Sequence, residues 1–327
     1  MWLFGGIALI KKNKVAIVGA GQVGATTAYT LAVKGLVSEL VIIDINKDKA
    51  EGEALDINHG MPFLNPAKIY AGTYQDTKDA EVVIITAGLP RRPGQSRRDL
   101  IHSNNRIVQD IVKQLNIYAD DPVIIVATNP VDIMALTAQK TSKQPKEKVF
   151  GSGTLLDTAR FRFTLAQNCR IEARSIQADI IGEHGEGEIP VWSLANISGV
   201  PMATYCSICN RVCESQKREE IFLDVRDAGM DVIKKKGATY YAIALALTRL
   251  TEAVLKDEHS VLTVSMHLNG YLGIYDVSMG LPAVIGSGGI QKAVELPLNQ
   301  QEKKDFIATS TVLKELARHM EDFTLNK

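Results

Sequence analysis

The sequence predicts an α/β fold, with a doubly wound parallel sheet over residues 1–150 followed by an α+β domain over residues 151–327. Three observations predict it. Residues 14–44, KVAIVGAGQVGATTAYTLAVKGLVSELVIID, read as one complete strand–turn–helix–strand unit. Apolar runs and helical patterns then alternate with short connections through the first half, as in a parallel sheet covered on both faces. Near residues 149–153 the alternation stops, and 327 residues are enough for a second core.

The first unit carries the most information. Residues 15–18 are a short apolar, β-branched run of the kind buried on both sides of a parallel sheet. The run enters Gly19, Gly21 and Gly24, spaced G-x-G-x-x-G. Gly19 permits the tight turn, Gly21 lets backbone approach a pyrophosphate, and Gly24 lets the following helix pack closely on the strand. The phosphates then meet free N–H groups and the positive end of the dipole at the helix N-terminus. That helix is expected over residues 22–34, with Gly35 stopping it. A second strand, residues 40–43, ends in Asp44, twenty residues after Gly24, where a carboxylate binds both ribose hydroxyls of NAD and repels the extra phosphate of NADP. Glycines alone often do no more than end helices. Combined with the strand, helix and acid, they define a Rossmann NAD-binding domain.

Further along, helix is expected at residues 47–55, a short strand at 69–71 and a fully buried one at 81–86. The segment AGLPRRPGQSRRDL, residues 87–100, follows that strand's C-terminal end, which faces the ligand in open α/β sheets. Its glycines and prolines suit a mobile lid carrying Arg91, Arg92, Arg97 and Arg98; the alternative is a solvated cationic turn. A helix at 101–118 leads to a strand at 123–127 and then to Asn129, whose side chain offers a donor and an acceptor at another strand end. Asp157 and Arg160 are three apart, so on a helix they share a face, and the plain reading is a weak surface ion pair. A strand expected at 175–181 ends in Gly182-Glu183-His184-Gly185, and a lone histidine there is structural as readily as catalytic. Residues 221–255 read as helix interrupted near Gly237-Ala238-Thr239, residues 262–268 and 283–285 as strands, and residues 300–320 as a closing amphipathic helix.

Composition narrows the partners. Thirty-seven basic and thirty-seven acidic residues cancel, so no broad basic field exists to hold nucleic acid or an anionic membrane, and a small-molecule partner is favoured. Four cysteines, Cys169, Cys206, Cys209 and Cys213, are too few for a disulfide scaffold. The last three are spaced C-x2-C-x3-C, but no histidine lies nearby, so a reduced loop is the simpler reading and no metal is expected. The N-terminal MWLFGGIALI is half the length of a membrane span, and its lysines follow the apolar run. It reads as an N-terminal arm, or as the product of an upstream start codon, on a cytoplasmic protein.

The motifs GSGTLLDTARFR at residues 151–162, IIGEHG at 180–185, ATNPVD at 127–132 and KKGATYYAIALA from Lys235 resemble the lactate and malate dehydrogenase family over nearly the whole chain. The body is most similar to bacterial L-lactate dehydrogenases, and TYCSICNRVC resembles a stretch found in some of them, which removes the metal reading. The resemblance implies NAD-dependent interconversion of a 2-oxo acid and an L-2-hydroxy acid. It makes His184 the general acid and base, and Asp157 the partner that orients the ring and favours its charge. Arg160 becomes the fork for the substrate carboxylate, and Arg97 the group that polarises the carbonyl. Asn129 helps orient substrate and histidine, Thr239 lies at the substrate, and Gly19, Gly21, Gly24, Asp44 and Asn129 serve the cofactor. A homo-oligomer, tetramer or dimer, is also implied. A binding protein without turnover would be expected to lose the His184 and Asp157 pair.

This sequence departs from the family pattern in informative places. Lactate dehydrogenases typically carry glutamine where Arg91 stands, and malate dehydrogenases arginine. An arginine closed over the methyl group of pyruvate would be an unpaired buried charge costing about 3–5 kcal/mol, whereas over oxaloacetate it meets the second carboxylate. Arg91 therefore suits malate and oxaloacetate, and Thr239 with the rest of the body suits lactate and pyruvate. Glu186 and Gly187 also differ from the usual aspartate and serine or threonine. Many bacterial members respond to fructose 1,6-bisphosphate through an arginine and a histidine at a subunit interface. Arg162 matches the first, but Gln177 replaces the second with a neutral amide, so weak or absent activation is expected.

Overall fold

Strand β1 (Lys14–Val18) pairs in parallel with β2 (Glu39–Ile43), to which it is joined by helix α1 (Gln22–Val33). The computed structural model describes residues 13–90, 97–208 and 215–325. Helix α2 (Lys47–His59) begins where the Asn46 side chain accepts from the Lys49 N–H and runs to Gly60, a turn longer than its apolar pattern suggests. It leads to β3 (Lys68–Ala71) beside β2, and β4 (Val82–Ile85) returns to the other side of β1. Helix α3 (Arg97–Tyr118), β5 (Val123–Val126), α4 (Val131–Thr141) and β6 (Val149–Gly151) complete the parallel set, in the order β3-β2-β1-β4-β5-β6. Every residue of β4, β5 and β6 is buried, as a strand covered on both faces requires.

The second half extends the same sheet. Helix α5 (Leu155–Cys169) is followed by β7 (Ile176–Gln177), β8 (Ile180–Gly182), β9 (Glu188–Pro190), β10 (Asn196–Ile197) and β11 (Val200–Pro201). Three helices come next, α6 (Met202–Ile208), α7 (Ser215–Lys236) and α8 (Tyr241–Leu255). The long strands β12 (Ser260–Asn269) and β13 (Tyr275–Gly286), then β14 (Gly289–Ala293) and α9 (Gln300–Leu325), end the chain. Strand β12 joins β6 antiparallel through Ser265 and Gly151, and β13, β8 and β9 continue the sheet. The residues where the sequence pattern changes are thus the strand at which the sheet turns from parallel to antiparallel.

One expectation is corrected. The single strand expected at 175–181 is two short strands in different sheets, β7 pairing β10 and β8 pairing β13 and β9. Between them Arg162 donates to the Ala178 carbonyl and the Asp179 carboxylate, so a side chain satisfies the backbone where the two ladders part. Asp157 is fully buried, so of the two readings of its spacing to Arg160 the plain one, a weak surface ion pair, falls away. The interruption near Gly237 is as the sequence implies, with φ of +85° at that glycine separating α7 from α8.

Candidate active site

The turn after β1 shows what each glycine does. A Cβ on Gly19, at φ +115°, would lie 2.5 Å from the Ala87 nitrogen. One on Gly24 would lie 1.8 Å from the Gly19 carbonyl oxygen, so that α1 could not sit against the turn. At Gly21, the residue that precedes α1, a Cβ would meet nothing within 4 Å, so its absence leaves open space before the free N–H groups of the helix. Asp44, just after β2, accepts from the Ala20 N–H at 2.6 Å and the Asn46 N–H at 2.8 Å. Gly19, Gly21 and Asp44 border a cavity of about 870 Å³ that continues past Thr86, Leu89 and Ile107. An anion cradle, a carboxylate for a ribose and an apolar wall fit a dinucleotide.

A second cluster forms where α5 meets the turn between β8 and β9. Thr154 donates to the Ile180 carbonyl at 2.6 Å, and the Ile180 N–H donates to the Thr158 hydroxyl at 3.0 Å. These bonds fix the first turn of α5 against β8, so Asp157 faces the turn that carries His184. The His184 Nδ1 lies 2.6 Å from one Asp157 oxygen, and the Arg160 Nη1 donates to the other at 2.7 Å. An ionised carboxylate can only accept, so Nδ1 bears the proton and Nε2 is left for a reacting atom. The His184 side chain is 26% exposed, while Asp157 is 0% exposed. Gly229 of α7 faces the guanidinium of Arg160, where a Cβ would stand 3.5 Å from Nη2.

The charges follow from this geometry. Burial by itself would lower the His184 pKa, but the charge and hydrogen bond of Asp157, aided by Glu188 and Asp132, push it up to about 9. The ring is therefore an imidazolium at neutral pH. Burial would likewise raise Asp157, yet His184 and Arg160 hold it below the ordinary carboxylate value. Asp132, in the first turn of α4, is pushed up by burial to about 6, against hydrogen bonds from Ser265 and the backbone of His184. Through those two bonds Asp132 ties the His184 backbone to β12. Sequence reasoning missed Asp132, Ser265 and Glu188, although Asp132 belongs to the ATNPVD motif and Glu188 stands four residues after the histidine.

The other expected site residues are placed less closely. Asn129 is exposed at the end of β5, where its carbonyl accepts from Asn104 at 2.8 Å. Thr239 is half-buried in the link between α7 and α8. Arg97 opens α3, whereas Arg91 and Arg92 lie outside the described residues, as do Cys209, Cys213 and the N-terminal MWLFGGIALI. Arg162 already donates from Nε to Ala178 and from Nη2 to Asp179, at 2.8 and 2.9 Å. Among the described residues, no helix is long and apolar enough to cross a membrane.

Residues 13–151 match the lactate/malate dehydrogenase NAD binding domain, and residues 154–324 match the lactate/malate dehydrogenase alpha/beta C-terminal domain. The chain belongs to the lactate/malate dehydrogenase family. An L-lactate dehydrogenase of Thermoanaerobacter sp. (strain X514) is 48% identical over 309 residues, 94% of this chain and 99% of the relative. The minor L-lactate dehydrogenase from Enterococcus mundtii, solved in a ligand-bound form, superposes with a TM-score of 0.91 at 38% identity, covering 94% of this chain and 98% of that one. A lactate dehydrogenase from a deep-sea metagenome library also gives 0.91, at 40% identity, over 95% of this chain and 100% of its own. This family member is an oxidoreductase, with NAD as its cofactor and the first domain as the part that binds it.

Proposed function

We propose that this protein is a cytoplasmic enzyme interconverting pyruvate and L-lactate. The observation that carries the reaction is the buried Asp157 carboxylate shared by His184 and Arg160, which sets a proton donor beside a carboxylate-binding fork. When bound, NADH supplies the hydride that reduces the carbonyl carbon. His184 delivers a proton from Nε2 to the carbonyl oxygen as charge develops there, and takes it back in the reverse direction. Asp157 keeps Nδ1 protonated and the ring in one orientation throughout. Arg160 grips the substrate carboxylate with N–H groups not engaged by Asp157, and Arg97 polarises the carbonyl from the lid side. Asn129 and Thr239 help place the substrate.

Support for pyruvate comes from relatives at up to 48% identity that are named L-lactate dehydrogenase. This moves the proposal away from oxaloacetate, toward which Arg91 points in the sequence. The malate reading is kept as the second one because an arginine suits a second carboxylate. The test is kcat/KM with NADH for pyruvate and for oxaloacetate, on the wild type and on Arg91→Gln. Pyruvate is expected to win in the wild type and to gain further in the variant. If oxaloacetate wins in the wild type and loses to pyruvate in Arg91→Gln, the second reading replaces the first.

Two further outcomes are expected. Reduction needs protonated His184, so kcat/KM for the 2-oxo acid should hold below pH of about 9 and fall above it, while oxidation of the hydroxy acid rises through the same range. A limb near the ordinary histidine value would show that Asp157 does not sustain the imidazolium. Fructose 1,6-bisphosphate is expected to leave the pyruvate half-saturation unchanged, because Arg162 is paired with Asp179 and Gln177 brings no charge. A large fall in half-saturation on adding the sugar bisphosphate would overturn this.

A further inference from the structure

Glu188, the first residue of β9, is unused by the mechanism above. Gly182 is its ladder partner on β8, so the two residues close the base of the turn that holds His184. One Glu188 oxygen, Oε1, accepts from the Gly185 N–H at 3.2 Å and lies 3.8 Å from His184 Nδ1. The other, Oε2, is buried and has no hydrogen-bond partner among the described residues, and the side chain as a whole is 2% exposed. Two carboxylates thus stand beside one imidazole nitrogen. Asp157 takes its hydrogen bond, and Glu188 lies within reach of its charge.

We propose that Glu188 is a positioning residue of the acid/base centre. It ties down the turn that carries His184 through the Gly185 N–H, and as a second carboxylate beside Nδ1 it sets how firmly the imidazole holds its proton. The proposal rests on the reading of His184 as the group that exchanges a proton with substrate. A buried carboxylate with one oxygen unmatched is expensive to ionise, and the structure supplies little to offset that. Burial first, and then repulsion by Asp157, push Glu188 up to about 8, against attraction from His184, the Gly185 N–H and Arg160.

Other charged groups surround the pair. Asp132 of α4 adds negative charge beside His184, Glu183 of the turn adds it beside Asp132, Glu186 lines the same cavity as Glu188, and the Glu188 charge reaches Arg226 of α7. On its open side Glu188 borders a cavity of about 800 Å³, into which α7 brings Arg218 and Glu219 and α9 brings Glu302 and Asp305. Below its own titration Glu188 is neutral and acts on His184 through position alone. Above it, the anion stabilises the imidazolium and delays loss of the ring proton, so its electrostatic effect falls on the alkaline side.

Glu188→Gln separates the two roles, because the amide oxygen still accepts from Gly185 while the charge is gone. Titration of His184 by NMR in the histidine-labelled full chain, assigned with His184→Asn, reads the effect without any substrate. The apparent pKa of His184 should fall by about one unit in Glu188→Gln. The alkaline limb of kcat/KM should move down with it. An unmoved His184 titration overturns the proposal, as does a loss of kcat that is equal at every pH. If Glu188→Gln does not fold, the wild type decides: the His184 signal should titrate in two steps as Glu188 and the ring ionise together, and a single step overturns the proposal. A shifted titration in a protein that reduces no 2-oxo acid would instead remove the catalytic reading and leave the Glu188–His184 coupling standing.

Discussion

His184→Asn is expected to lower kcat for 2-oxo acid reduction by roughly 10²- to 10⁴-fold, the usual contribution of a positioned general acid. Asparagine keeps a side-chain donor for Asp157 but carries no transferable proton where Nε2 stands. The loss should therefore fall on the chemical step. NADH affinity, measured by fluorescence without substrate, should stay the same, since Gly19, Gly21 and Asp44 border a cavity whose lining does not include His184. Exogenous imidazole should restore part of the rate if the missing element is a proton donor. A fall of less than about tenfold would mean that another acid protonates the substrate. A melting curve belongs with the kinetics, because Asp157 is 0% exposed and would lose a charged partner, keeping only Arg160.

His184 is named from sequence only through the resemblance its IIGEHG motif carries, since a lone histidine at a strand end is structural as readily as catalytic, whereas the cofactor site has signals of its own. The unit at residues 14–44 was legible because strand, glycines, helix and acid are contiguous, and each states its own physical requirement. Structure supplies the spatial reasons, such as a Gly24 Cβ that would run into the Gly19 carbonyl. Helix α4 was not read because Val131 to Gln139 is buried on every side, so the periodicity that marks a surface helix is missing. The break between β7 and β8 is held by Arg162, which lies 16 residues from Ala178, and no local pattern announces it.

Burial was the other illegible quantity. Three-residue spacing shows that Asp157 and Arg160 share a helix face, but solvent exposure depends on what covers that face. The cover includes His184, 27 residues on from Asp157, and its carrier turn is held by Asp132 and Ser265, 133 residues apart. A weak surface pair and a strongly coupled buried one have identical spacing in the sequence. The chemistry of the site depends on this difference, since the same two charges in water would not hold His184 protonated near pH 9.

Arg160→Lys tests that buried pair from its other end. Charge is conserved, so an enzyme that needs only a cation near the carboxylate would be little affected. Arginine, however, has a planar fork, and the structure engages one Nη1 bond with Asp157 at 2.7 Å while the remaining N–H groups stay free for a second carboxylate. Lysine cannot serve both partners in that geometry. It either keeps Asp157 or reaches the substrate, and the loss should be about 3 kcal/mol, on the order of a hundredfold in kcat/KM. Most of it should appear as a higher KM, with a smaller fall in kcat from a substrate held less squarely to Nε2. The His184 titration should shift little, because a positive charge remains beside Asp157 in either case. An unchanged KM would sink the assignment of Arg160 as the carboxylate fork. The oxygen of Asp157 that now meets Arg160 would then be serving structure alone, at a site where the Arg160 side chain is still 18% exposed.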